Sequence, residues 1–143
     1  MKTAYIDLNI LWDMLIRRHE HAAAAAVFDA CVQRSLKGAI GSHEIAALAS
    51  RIQRQQVDVN NRQHITDTLL DHLSVLTAHE SILRDALHSQ IRDYKKAVTD
   101  ELAFHAGVDL LVVRDLSGFE GSKNRVCAVR EAVAVVEGWL SGS

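Results

Sequence analysis

Four acidic residues, Asp7, Glu44, Asp93 and Asp115, stand where an α/β protein keeps its chemistry. Asp7 ends a strand-like run, Thr3-Ala4-Tyr5-Ile6-Asp7-Leu8-Asn9, that passes straight into a helix. Tyr5, Ile6 and Leu8 have the residue types of a buried strand, and a charge inside such a run is out of place unless the strand stops there. Glu44 lies just past the short apolar run Gly38-Ala39-Ile40-Gly41, and Asp115 follows Val108 to Val113. Parallel strands would bring these three ends to one sheet edge, where open α/β sheets place their ligands. Asp93, near the start of a helical stretch from Ile91 to His105, could face the same edge. Clustered carboxylates raise one another's pKa unless a cation is present. The natural companion is magnesium or manganese, held by oxygen ligands, which can polarise a phosphodiester and generate the attacking hydroxide. A plainer reading of Asp7 alone is that it caps the helix beginning near Leu8 or Asn9.

Strand-like and helical segments alternate throughout. Helical spacing predicts helices over Asn9 to Arg18, His21 to Arg34, His43 to about Gln56 with Ser42 as N-cap, and Asn60 to about His72. Leu73 to Leu76 is strand-like, and Thr77 is a candidate cap for a helix over Glu80 to His88. The Ile91 to His105 helix is closed by Gly107, and Val108 to Val113 is the clearest strand, apolar apart from Asp109. A last helix is expected over Asn124 to Trp139, with Val126, Val129, Val133 and Val136 on one stripe and Ser141-Gly142-Ser143 as a frayed tail. The alternation predicts a three-layer α/β/α sandwich around a mostly parallel sheet of four or five strands.

With 143 residues, 48% of them hydrophobic and 24% charged, the chain is expected to fold as one soluble domain over 1–143, its core about 2–136. No apolar run is long enough to span a membrane, and Asp7 and Asp13 interrupt the only early apolar run, so no signal peptide is expected and the cytoplasm is the default location. Cys31 and Cys127 fit no metal or disulfide spacing and read as buried free thiols. The eight histidines are scattered without a metal-binding motif. A net charge of −2 confines any nucleic-acid contact to a local patch. Most basic side chains read as solvated surface; Arg114 is the exception, because it adjoins Asp115. No Gly-rich phosphate loop follows the first strand and no second acid adjoins Asp7, which disfavours a nucleotide-binding or phosphoacceptor domain.

Together, Asp7-Leu8-Asn9, Ile91-Arg92-Asp93-Tyr94, Ala103 to Asp109 and Val112-Val113-Arg114-Asp115-Leu116-Ser117-Gly118-Phe119 resemble a PIN domain over about residues 2 to 136. That family comprises metal-dependent ribonucleases, including many toxins of bacterial toxin–antitoxin pairs. The resemblance implies that Asp7 and Asp115 match the first and last metal-binding acids, with Asn9 at the small polar position after the first. It departs from the family in three places. Val113 replaces a Thr. In Asp93-Tyr94-Lys95-Lys96-Ala97, Lys96 stands where an acidic ligand is usual, with Asp93 matching the preceding acid. The acid of the helix after the second strand aligns near Ala47, and Glu44, one turn earlier, is a substitute. Lys96 is accordingly expected to pair with Asp7 or Asp115 and weaken metal binding, an attraction of roughly 4 kcal/mol per close pair at an effective dielectric near 20. What the resemblance implies is therefore a magnesium- or manganese-dependent endoribonuclease of toxin–antitoxin type held by Asp7, Asp93 and Asp115 with Glu44 assisting. The alternative is a degenerate domain that binds RNA or protein. A protein antitoxin and a homodimer are implied by the resemblance alone.

Overall fold

The computed structural model describes residues 1–55 and 58–142. Within them the strands are β1 (Thr3–Ile6), β2 (Lys37–Gly41), β3 (Leu73–Leu76), β4 (Leu110–Val113) and β5 (Val126–Ala128). They form one sheet in the order β3-β2-β1-β4-β5, and every pairing is parallel. Seven described helices connect and cover them: α1 (Leu8–Ile16), α2 (His21–Val32), α3 (Ser42–Arg54), α4 (Val59–His72), α5 (Glu80–Leu87), α6 (Tyr94–His105) and α7 (Val129–Gly142). No described helix is long and apolar enough to cross a membrane.

The strand period of two explains why helices cover both faces. Ala4 and Ile6 of β1, with Leu110 and Val112 of β4, point into one core, where Leu11, Val27, Leu48, Leu69 and Val136 bring in α1, α2, α3, α4 and α7. Tyr5, Leu111 and Val113 point to the other face and pack on Ile82 of α5 and Val98 and Leu102 of α6. A strand buried on both faces can carry no charge before its end, which is why β1 and β4 read as unbroken apolar runs.

Several boundaries differ from the sequence reading. Val126 to Ala128 is not the start of a helix but a fifth strand: Leu111 N–H donates to the Arg125 carbonyl at 2.8 Å, and Val112 pairs with Cys127. The valine spacing 126, 129, 133, 136 fits a helix, yet the open edge of β4 captures its first member. The last helix then runs on through Gly142 rather than fraying at Ser141, and Ser143 lies outside the described residues. The long helix begins at Tyr94, not Ile91; Asp93 is its N-cap, and Ile91 is instead a buried anchor of the second core. Ser42 is the first residue of α3, with Gly41 as its cap, and His79 rather than Thr77 precedes α5. The expected end of α3 at Gln56 lies outside the described residues. Cys31 and Cys127 are free and buried, as read, and burial pushes the Cys31 thiol up to about 12.

Candidate active-site cleft

At the carboxyl ends of β1, β2 and β4 lies a cleft of about 750 Å³ lined by Asp7, Asn9, Glu44, Asp93, Lys96, Arg114 and Asp115, among others. Every residue singled out from the sequence borders it, Ala47 included, but they do not converge.

Asp7 holds both readings at once. Its backbone N–H donates to the Val112 carbonyl at 3.0 Å, which fixes the end of β1 to β4. Its side chain caps α1 by accepting from Asn9 N at 3.2 Å. Glu44 on α3 reaches the same point from β2 and is buried. Its Oε1 accepts from Leu8 N at 3.1 Å, and its Oε2 accepts from the Tyr5 hydroxyl and from Thr99 Oγ1, the latter at 3.2 Å. The Tyr5 hydroxyl in turn accepts from Gly41 N at 2.9 Å, so the second strand end is tied to the first through this pair. Burial, followed by the charge of Asp7 and a hydrogen bond to it, holds the Glu44 carboxyl well above its ordinary range, against the opposing bonds from Tyr5 and Leu8. Burial and Glu44 push the Tyr5 phenol up as well. Asp7 and Glu44 are thus a pair of neighbouring acids, Asp7 half-buried at the cleft and Glu44 buried behind it with donors arranged around it. Ala47, on α3 one turn beyond Glu44, offers only a methyl group to the cleft.

Asp93 and Asp115 stand apart from this pair. Asp93 is exposed and its Oδ1 accepts from Lys96 N at 3.1 Å as the cap of α6. Asp115 is exposed and its Oδ1 accepts from Ser117 N at 2.9 Å, turning the chain out of β4. Among the described residues, the one set of three acidic, histidine or cysteine side chains whose ligand atoms lie within 4.8 Å of one another is Asp85, Glu101 and His105, none of them in this cleft.

Lys96 does not pair with Asp7 or Asp115. Its Nζ donates to the Ser117 carbonyl at 3.1 Å and sits 5.6 Å from the Phe119 ring centroid. The physical reason is the turn after β4: Gly118, at φ +89°, leaves open the space where Lys96 Nζ would be 2.6 Å from an added Cβ. Gly118→Ala is therefore expected to cost about 1 kcal/mol or more from the left-handed backbone alone and to release Lys96 into the cleft. A thermal melt combined with the chemical shift of the Lys96 ammonium would check both effects.

Arg114, singled out because it adjoins Asp115, is engaged on the other side. Its Nε and Nη2 donate to Asp13 of α1 at 2.8 and 2.6 Å, a two-pronged ion pair in place of a free phosphate contact. Asn9 is a weak acceptor for Arg51 Nη1 at 3.5 Å, and the Arg51 guanidinium lies 5.3 Å from the Trp12 ring centroid. The residues that sequence reading missed are the supports of Glu44, Tyr5 and Thr99, and His43. Both ring nitrogens of His43 are buried without a hydrogen-bond partner among the described residues. Burial lowers its pKa, with Asp7 pulling the other way. Tyr5 could have been suspected from its phenol within a buried strand; the place of His43 beside the cleft has no signature in the sequence.

The chain matches the family model of the PIN domain over residues 3–117. Solved structures with the same fold include VapBC2 from Rickettsia felis bound to a DNA fragment from their promoter, at 14% identity and a TM-score of 0.61, covering 88% of this chain and 98% of that one. PAE2754 from Pyrobaculum aerophilum aligns at 17% identity and a TM-score of 0.67, covering 96% and 90%. FitAB bound to a DNA fragment aligns at 11% identity and a TM-score of 0.64, covering 88% and 94%. Among curated proteins no match was found.

Proposed function

This chain belongs to the PIN domain family, and from that premise we propose that it is a magnesium- or manganese-dependent endoribonuclease of toxin–antitoxin type. The observation that carries the reading is the Asp7–Glu44 pair: two neighbouring carboxyl groups at the carboxyl edge of a parallel sheet, one of them lifted out of its ordinary pKa range by burial and then by the other. Oxygen-only donors under like-charge repulsion suit a hard divalent cation. Asp7 and Glu44 would hold it, with Asp115 and Asp93 as the next acids along the cleft. When bound, such an ion polarises a phosphodiester and lowers the pKa of water.

The chain's own side chains support the remaining requirements. Tyr5, Thr99 and Leu8 N–H orient Glu44, so that its charge is aimed rather than free to swing. Arg51 and Lys95 line the cleft and would provide phosphate contacts without reading sequence. The likeness to VapBC2 and FitAB supports a protein antitoxin as partner; a cytoplasmic homodimer completes the reading.

A second reading, a binder of RNA or protein that has lost catalysis, is favoured by one observation. Lys96 is anchored at the mouth of the cleft while Asp93 and Asp115 are spent on local caps. Cleavage of labelled single-stranded RNA in manganese and in EDTA, with Asp7→Asn purified in parallel, separates the two. The nuclease reading expects manganese-dependent cleavage that disappears in Asp7→Asn. Equal activity in the two proteins, or none in either, would overturn it in favour of the binder.

A further inference from the structure

At the far end of α6 from the cleft, Asp85 of α5, Glu101 and His105 come together, and we propose that they bind a zinc-class divalent cation that links α5 to α6. His105 Nε2 lies 3.3 Å from Asp85 Oδ2 and 3.4 Å from Glu101 Oε2. These separations are long for hydrogen bonds. They match the roughly 3.3–3.5 Å edge of a tetrahedron whose centre is about 2.0–2.1 Å from nitrogen and oxygen ligands. One imidazole and two carboxylates form an acceptable set for zinc, with water completing the coordination from the exposed side.

The independent observation is Glu101 itself. Its side chain is 0% exposed. Oε1 is 2.7 Å from Lys123 Nζ and is paired with it. Oε2 faces His105 and has no hydrogen-bond donor among the described residues. A buried carboxylate oxygen left without a donor is costly unless a further group completes it. The surroundings hold it in place. Asp100, the neighbouring residue, accepts from Lys123 N at 3.1 Å and from Asn124 Nδ2 at 2.7 Å, so the turn carrying Lys123 is fixed to α6. Lys123 thereby occupies one oxygen of Glu101 and leaves the other directed at His105, as outer partners of metal ligands do.

The site shares no residue with the cleft, so its test is independent of nuclease activity. Zinc chloride is titrated calorimetrically into the full chain, into Asp7→Asn, and into a double variant, Asp85→Ala with His105→Ala. Both substituted side chains of the double variant are about half exposed, so the fold should tolerate their removal. The expected result is one zinc equivalent retained in Asp7→Asn and weakened at least tenfold in the double variant. Zinc should also raise the melting temperature of the first two proteins and not that of the third. A zinc isotherm for the double variant that superimposes on the parent's, or no zinc binding by the parent, would overturn the site and leave an ion-pair network only.

Discussion

Glu44→Gln is expected to make the protein more stable near neutral pH while abolishing manganese-dependent cleavage. The sign follows from the direction of the shift. An acid whose folded pKa is raised above its ordinary value of 4.5 binds its proton more tightly in the folded state. Its presence therefore costs nothing at low pH and costs progressively more as pH rises from the ordinary value toward the raised one. Each unit of that interval is equivalent to about 1.4 kcal/mol. The amide keeps the shape of Glu44 and removes the charge that burial and Asp7 oppose. Melting curves of parent and variant from about pH 5 to about pH 8 should diverge with rising pH, the variant on top. Cleavage should be lost, because the amide removes one of the two carboxylates that would hold the ion. A variant less stable than the parent across the range would show that the bonds from Tyr5, Thr99 and Leu8 to a charged carboxylate outweigh the repulsion from Asp7.

Arg114→Ala should produce the largest loss of stability of any exposed-edge substitution in the cleft. Asp13, on the inner side of α1, has a side chain only 4% exposed, and Arg114 provides its charge partner. Removing one member of a buried pair typically costs about 3–5 kcal/mol. Because Arg114 is itself 37% exposed, water screens part of the effect, and about 2–3 kcal/mol is expected. Denaturant unfolding of Arg114→Ala, Arg114→Lys and the double variant Asp13→Leu with Arg114→Met distinguishes the causes. Lys should recover only part, since it cannot bond both oxygens. The double variant should return close to the parent, because no charge is then left buried. If Arg114→Ala is as stable as the parent but RNA binding falls, the guanidinium is a phosphate ligand after all.

Those two residues also show what the sequence could and could not express. The alternation of strand and helix, the parallel sheet and the strand-end positions of Asp7, Glu44 and Asp115 follow from periodicity and residue type, and the fold carries all of them. The fifth strand escaped because Val126, Cys127 and Ala128 satisfy both a helical and an extended pattern. What decided between them was the open edge of β4, a partner more than a dozen residues away in the chain. Convergence of the four acids was an inference from strand ends alone. It fails for Asp93 and Asp115 because each has a closer backbone N–H to cap, at Lys96 and at Ser117. Arg114 looked free because its partner Asp13 lies on a different element 101 positions earlier. Glu44 was legible as a candidate in place of the acid expected near Ala47; its buried network of Tyr5 and Thr99 was not, since it is assembled from three separate elements.

The central place of β1 bears on how the protein is made. Its neighbours are β2, which leaves the ribosome soon after it, and β4, whose partner residues lie about as far along the chain as the Thr3–Asp109 contact, 106 positions apart. At ordinary rates of synthesis that gap is roughly 5–20 s. During this interval the β3-β2-β1 half can pair, but the amide of Asp7 has no Val112 carbonyl to hold it, and one wall of the cleft does not exist. Long-range parallel pairing of this kind is also slow to form once its parts are present. A domain built on this plan has no assembled cleft until the chain has been made through β4.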